Sequence, residues 1–260
     1  MDTRVSLTAK DKVATILLNR PEAYNALDRE TVGELQKILL QASTDPEIHG
    51  VVITGEGKAF SAGGDIRGVM AHPKGPAAAF NVLAALVHVC VTEIRRMRKP
   101  VVAAINGVAA GGGFSLALAS DFRVMARSAR LKQGFTSNAL CIDGGATFTL
   151  PRLVGLARAL EIAAFDEPIS AEQALAWGLV TRVVEDGLVV AEAERLVRAV
   201  AEKSLHTFGW SKQLLTNSYE TPLEAQLECE RQGLLACVSH ADGVEGMTAF
   251  LEKRKPRYNR

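Results

Sequence analysis

The chain has 260 residues, 48% of them hydrophobic, which is enough apolar mass for one large domain or a domain with an appendage. A formal net charge of +1 gives no overall field for nucleic acid. No unbroken apolar run approaches the length of a membrane span, so neither kind of partner is expected.

The opening MDTRVSLTAKDK has no apolar leader core, and the expectation is a soluble cytoplasmic protein. Cys90, Cys141, Cys229 and Cys237 stand far apart without a CxxC, and the histidines form no ligand pair. Neither disulfide nor metal is expected.

Residues 5–8 and 13–18 read as a hairpin around a polar turn at 9–12. Asn19-Arg20-Pro21 ends it, and Asp28 is placed to cap a helix through Gln41. Residues 51–54 form a buried strand, followed by the loop GEGKAFSAGGDIRGVM, in which Asp65 can cap a short helix from Ile66. Residues 72–76 read as a surface loop. A long helix is predicted over 77–98, with Leu83, Val87, Cys90, Ile94 and Met97 on one stripe.

Further strands are predicted at 101–105, 122–125, 130–133 and 180–184. An Asp143-Gly144-Gly145 turn precedes helices with LPRLVG (150–155) between them. Beyond Leu188 only helices are expected: 191–203, 205–218, 222–238 and 243–253. Strands alternating with helices and then helices alone predict an α/β layered core over 1–195 and a helical C-terminal region over 196–260.

The stretch VVAAINGVAAGGGFSLALASD (101–121) reads as strand, glycine turn and helix. Such a layout aims helix-start N–H groups at a bound oxyanion, with the helix dipole behind them. It is not a phosphate loop, since Phe114 and Ser115 follow Gly113 where Lys-Ser/Thr is needed. Nor do Gly107, Gly111, Gly112 and Gly113 spell a dinucleotide fingerprint. Taken alone, the glycines serve equally well to pack a helix tightly on a sheet. The loop with Gly63-Gly64 repeats the layout, and donors from two such loops can grip one carbonyl oxygen; losing one donor typically costs ~3–4 kcal/mol of barrier.

Together, AFSAGGDI (59–66), INGVAAGGG (105–113) and NRPEAYNAL (19–27) resemble the enoyl-CoA hydratase/isomerase (crotonase) superfamily. LPRLVG, ISAEQALAWGLVTRVV (169–184) and FLEKRKP (250–256) extend the resemblance over nearly the whole chain. It implies a crotonase-like spiral of ββα units with a helical C-terminal trimerisation region, assembled as a homotrimer or dimer of trimers. It also implies an acyl-CoA thioester substrate and no cofactor, coenzyme A being part of the substrate. By position, the oxyanion donors would be the N–H groups of Gly64 and Gly112. Ala23, Ala62 and Ile66 would lie at the adenine end, and Phe250 and Lys253 would come from a neighbouring subunit. Gly63, Asp65, Gly111 and Phe135 complete the expected substrate contacts. Arg20 and Lys253 read equally as phosphate partners or as solvated charges. Val69, Met70, Phe80 and Val87 read equally as acyl-pocket lining or helix packing.

Hydratase-type members carry one glutamate two residues after the glycine triplet and another twenty residues later; here those positions are Ser115 and Phe135. Between Asp121 and Glu161 the one acid is Asp143. Alone, it reads as a turn or N-cap residue. By resemblance it matches the catalytic aspartate of enoyl-CoA isomerases, including ring-epoxyphenylacetyl-CoA isomerases. Phe135, Leu140, Cys141 and Ile142 are expected to shield it from water. Such a carboxylate can take a proton from one carbon and return it two carbons away.

His88 reads as an edge histidine, yet with Asp143 it resembles the His/Asp pair of 4-chlorobenzoyl-CoA dehalogenases, where the aspartate is the nucleophile. That branch has tryptophan where Phe135 stands and an aromatic where Gly64 stands. Isomerisation therefore leads. Hydration, His/Asp dehalogenation or thioester hydrolysis, and a noncatalytic RNA-binding role are the alternatives. The last would need an aromatic-interleaved basic face, whereas the basic clusters 95–99 and 253–255 are short and aromatics make up 5% of the chain.

Overall fold

The computed structural model describes residues 3–259. Strands β1 (Val5–Lys10), β2 (Val13–Leu18) and β3 (Gly50–Gly55) begin the main sheet. After β4 (Ala59–Ser61), the strands β5 (Val101–Ile105), β6 (Val108–Ala110), β7 (Phe122–Ala126) and β8 (Arg130–Lys132) follow. The last are β9 (Ile169–Ser170) and β10 (Arg182–Val184). The main sheet has the order β1-β2-β3-β5-β7-β10, and a smaller one has the order β4-β6-β8-β9.

The hairpin is tighter than expected. β1 runs on to Lys10, and the reversal is made by Asp11 and Lys12 alone, both with φ in the left-handed region (50° and 65°). Two such residues match the twist of the flanking strands. From β2 onward every pair in the main sheet is parallel. Parallel neighbours need crossovers, which helices supply. These are α1 (Arg29–Thr44), α2 (Ile66–Met70), α3 (Gly75–Arg96) and α4 (Gly112–Ala119). Asp28 caps α1 by accepting from Thr31 N–H at 2.8 Å.

The small sheet was not anticipated. β4 and β6 each sit between a main-sheet strand and its glycine loop, giving the strand-strand-helix repeat twice: β3-β4-α2 and β5-β6-α4. The expected loop at 72–76 is shorter, because Pro76 stands in the first turn of α3, where its missing N–H costs nothing. By length and mean hydropathy α3 could cross a membrane, although Asn81 and His88 interrupt its apolar run; in this fold Leu83, Val87, Cys90, Val91 and Ile94 are buried. Two helices do meet at LPRLVG, but the break between them falls at its last residue, Gly155, and the rest of the motif is helical. The motif lies within α5 (Ala146–Phe165), which kinks there (φ 76°, ψ 161°).

After α6 (Ala171–Ala176), helix α7 (Val189–Ala201) packs on β3, β5 and β7 through the buried Ala193, Leu196 and Val197. A Cβ on Gly50 would lie 2.4 Å from Val197, so glycine there admits the helix. Position 195 falls inside this helix. α8 (Leu205–Asn217), α9 (Leu223–Ser239) and α10 (Ala241–Leu251) complete the chain. Lys212 ties α8 to the core: its buried ammonium donates to Asp121 Oδ2 and to the Ile94 carbonyl, both at 2.8 Å.

Candidate active site

Asn25 organises the first loop. It is fully buried with φ +56°, a conformation asparagine tolerates. Its side-chain amide donates to the carbonyls of Glu56 (2.9 Å) and Ala59 (2.8 Å), and its Oδ1 accepts from Arg20 N–H at 2.9 Å. The Asn25 carbonyl accepts from Ser61 Oγ (2.8 Å), which in turn accepts from Gly63 N–H (3.2 Å). Arg20 pairs with Asp28 (3.0 Å) and Asp65 (3.1 Å), so its charge is spent within the loop. Asp65 also caps α2 by accepting from Gly68 N–H at 3.1 Å.

The backbone then sets Gly64. Leu27 N–H donates to the Gly63 carbonyl (2.7 Å), and Asp65 N–H donates to the Leu27 carbonyl (3.0 Å). This parallel bridge uses the residues on either side of Gly64, whose own N–H has no partner among the described residues.

The second loop presses against the first. A Cβ on Gly63 would meet the Ala110 carbonyl and Gly112 N at 2.7 Å, and one on Gly113 would stand 2.2 Å from the Ser61 carbonyl. Gly111, at φ +52°, turns the chain into α4; its N–H goes to the Lys132 carbonyl and its carbonyl accepts from Ser115 N–H. Gly112 is the first residue of α4, where an N–H has no partner inside the helix. A Cβ built on Gly112 would lie 3.7 Å from Gly64 N, so the two unpartnered amides share one small patch. With the positive end of the α4 dipole, this patch suits a developing oxyanion.

Asp143, in the turn before α5, lines one small cavity with that patch. It does not cap the helix: the cap position is Gly145, with no side-chain bond. Its Oδ1 lies 2.7 Å from His88 Nε2 on α3. The two side chains keep 42% and 52% of their exposure, so water reaches the pair. Leu140 and Cys141 are exposed rather than shielding the carboxylate, because the segment before Asp143 turns outward; Phe135 and Ile142 stay half-buried. Behind Asp143, the buried Ser115 donates through Oγ to the Asp143 carbonyl at 2.6 Å. Glycine at 144 (φ +66°) is required, since a Cβ there would meet Ser115 Cβ at 2.8 Å.

One cavity of about 40 Å³ is lined by Gly64, Gly112, Phe80, Val87, Phe135 and Asp143. The sequence model of the enoyl-CoA hydratase/isomerase family matches residues 8–260. The chain belongs to that family.

It is 36% identical to the 1,2-epoxyphenylacetyl-CoA isomerase of Escherichia coli (strain K12), over 95% of this chain and 94% of that protein. It is 32% identical to the 4-chlorobenzoyl coenzyme A dehalogenase-2 of Arthrobacter sp, over 97% and 92%. The crystal structure of an enoyl-CoA hydratase from Polaromonas sp. JS666 superposes with a TM-score of 0.93 at 35% identity, covering 98% of this chain and 99% of that one. The fold is thus the mixed α/β crotonase fold, and the chain is an acyl-CoA enzyme of the hydratase/isomerase family.

Other expected contacts of this family member fall on two sides. Ala23, in a short turn (Pro21–Ala23), and Ala62, whose N–H donates to the Tyr24 carbonyl at 2.9 Å, lie on the two segments joined by the Leu27–Gly64 bridge. Ile66 opens α2 beside them and is exposed. Val69 lines an adjoining cavity with Leu27 and Leu83, while Met70 faces outward. Phe250 (82% exposed) and Lys253 stand at the end of α10 and do not line the cavity. Sequence reasoning missed Asn25 and Ser61 as builders of the site. The one signal for Asn25 was its place inside NRPEAYNAL.

Proposed function

We propose that the enzyme shifts a double bond in an enoyl-CoA thioester, from C3–C4 to C2–C3. The observation that carries this reading is the cavity wall itself: two unpartnered amides, Gly64 and Gly112, and a single carboxylate, Asp143. The thioester oxygen takes the two N–H groups. Asp143 removes a proton from C2, and the negative charge spreads over C4, C2 and the thioester oxygen. The same carboxyl then delivers the proton to C4. One carboxylate in contact with both carbons suffices, and general acid–base transfer of this kind contributes about 10²–10⁴-fold. Ser115 and Phe135 supply no second carboxylate for a hydratase pattern, which supports the assignment.

The reaction needs no cofactor, coenzyme A entering with the substrate. A homotrimer or dimer of trimers fits the apolar Leu234, Leu235 and Leu251 exposed on α9 and α10.

A second reading has an observation of its own, the 2.7 Å His88–Asp143 contact in reach of water. In that chemistry Asp143 attacks a ring carbon and expels halide, or attacks the thioester carbonyl and expels the coenzyme A thiolate; water that gives its proton to His88 then hydrolyses the aryl ester or anhydride and restores the carboxylate. The test is to offer 3-enoyl-CoA and 2-enoyl-CoA separately and weigh the products. A same-mass 2-enoyl product, lost in Asp143→Asn, supports isomerisation. A water-heavier product from 2-enoyl-CoA, or free coenzyme A, overturns it.

A further inference from the structure

About two turns along α3 from His88 the wall of the site changes character. A groove of about 1100 Å³ opens between α3, α5 and α8, with Thr92, Arg95, Arg96 and Lys212 in its lining. It adjoins the smaller cavity across a thin wall. Val87 and Gly144 face that cavity, Val91 and Gly145 face the groove, and a Cβ on Gly145 would lie 3.3 Å from Val91 Cγ1. His88, Thr92 and Arg95 share one face of α3 at helical spacing, and a rise of 1.5 Å per residue puts Arg95 about 10 Å along the axis from His88.

The groove is cationic and its cations are unequally engaged. Lys212 is held by Asp121. Arg95 is half-buried, and among the described residues it makes no hydrogen bond or ion pair; it only lies over the Phe148 ring at 5.2 Å. Arg152 stacks on the same ring at 3.4 Å. Burial holds the Arg95 guanidinium below the usual arginine range; the Asp121 carboxylate opposes this, and the Arg152 charge adds to it more weakly.

Arg95 also lines a recess with Ser120, Asp121, Arg123 and Arg152, in which the Asp121 carboxylate is already paired with Lys212. There Ser120 is 4% exposed and its Oγ has no hydrogen-bond partner among the described residues; Arg152 Nε is likewise buried and unpartnered among them. The acid nearest to Arg152 is Glu220, at 3.9 Å. An unpaired guanidinium and two unsatisfied buried donors at one place are costly to leave empty-handed.

We propose that this recess is a subsite for a carboxylate at the far end of the acyl chain, so that the substrates are enoyl-CoA thioesters carrying a distal carboxylate. The inference rests on reading the smaller cavity as the thioester site. A carboxylate can take two parallel N–H bonds from Arg95 and a further one from Ser120 or Arg152. A methyl terminus would leave all three as they are.

Calorimetric titration of the full chain with suberyl-CoA and with octanoyl-CoA, equal in carbon count, tests this directly. Suberyl-CoA is expected to bind at least tenfold tighter at low salt, with the ratio collapsing to within about twofold in Arg95→Gln and falling partly in Ser120→Ala. Thermal melts of both variants check that they remain folded. Equal affinities in the wild type, or a ratio that survives in Arg95→Gln, overturn the subsite while leaving the thioester site intact. Failure of both thioesters to bind overturns the thioester reading and the subsite with it. A tenfold ratio with no double-bond shift in any assay keeps the subsite and removes only the isomerase reading.

Discussion

Ser115 Oγ donates to the Asp143 carbonyl at 2.6 Å, so the residue standing where a hydratase carries a glutamate holds the backbone of the aspartate instead. One position has changed from proton carrier to scaffold. A buried neutral hydrogen bond of this kind is worth about 1 kcal/mol, and misplacing Asp143 by its loss should appear in turnover. Ser115→Ala is expected to lower kcat about tenfold with KM little changed. Ser115→Glu should lose isomerisation without gaining hydration, because the larger side chain meets Gly144. Steady-state kinetics on both enoyl-CoA isomers would decide.

Asp143→Asn keeps the shape of the turn and removes the base. A fall in kcat of about 10²–10⁴ is expected, with melting unchanged, since the carboxylate is half-exposed and bonded only to His88. His88→Gln separates the two readings of the site. Isomerisation should keep most of its rate, whereas His/Asp hydrolytic chemistry should vanish.

Asn25 is a stability hotspot that also governs the site. Asn25→Ala leaves the Glu56 carbonyl and the Arg20 amide without their partner, leaves the Ala59 carbonyl only the longer bond from Asn106 (3.3 Å), and puts alanine at φ +56°. A loss of roughly 2–4 kcal/mol is expected, read as a lower denaturant midpoint at constant slope. A companion contrast isolates the glycines. Gly113→Ala should unfold or fail to express because its Cβ meets the Ser61 carbonyl at 2.2 Å, while Gly64→Ala, with nothing nearer than 3.7 Å, should fold.

Asp166 sets an acid limit. Desolvation raises its carboxyl, but the Ser137 hydroxyl and the amides of Gly134 and Ser137 outweigh that and hold it below the ordinary aspartate value. A folded-state value below the unfolded one stabilises above the unfolded value of about 4 and is lost as pH falls through the folded one. The turn it clamps carries Phe135, a wall of the cavity. Asp166→Asn is therefore expected to cost roughly 2 kcal/mol at neutral pH and to flatten the acid limb of the stability curve, which urea titrations between pH 3 and 7 would show.

Much of this was legible in the chain. Long amphipathic segments such as α1, with Asp28 as cap, and the continuous apolar runs of β3 and β5 carry their own period or burial signature. The strands β4, β6 and β9 do not, since two or three residues are too few for any alternation to show. Ser61 was invisible, and Asn25 was marked only by its place inside NRPEAYNAL, for another reason: their partners lie on other segments, and no local pattern marks a polar residue as the hub of such contacts. The outward turn of Leu140 and Cys141, apolar by type but exposed, shows that the composition around Asp143 does not fix its solvation.

The bridge between Leu27 and Gly64 gives the molecule a built-in reporter. Leu27 and Asp65 amides are bonded, and the Gly64 amide between their attachment points is not. In deuterated solvent the Gly64 amide should therefore exchange early, flanked by protected neighbours. It should become protected only when a bound thioester oxygen accepts it. Exchange at one backbone position would then measure occupancy of the proposed oxyanion site, without a label and without turnover.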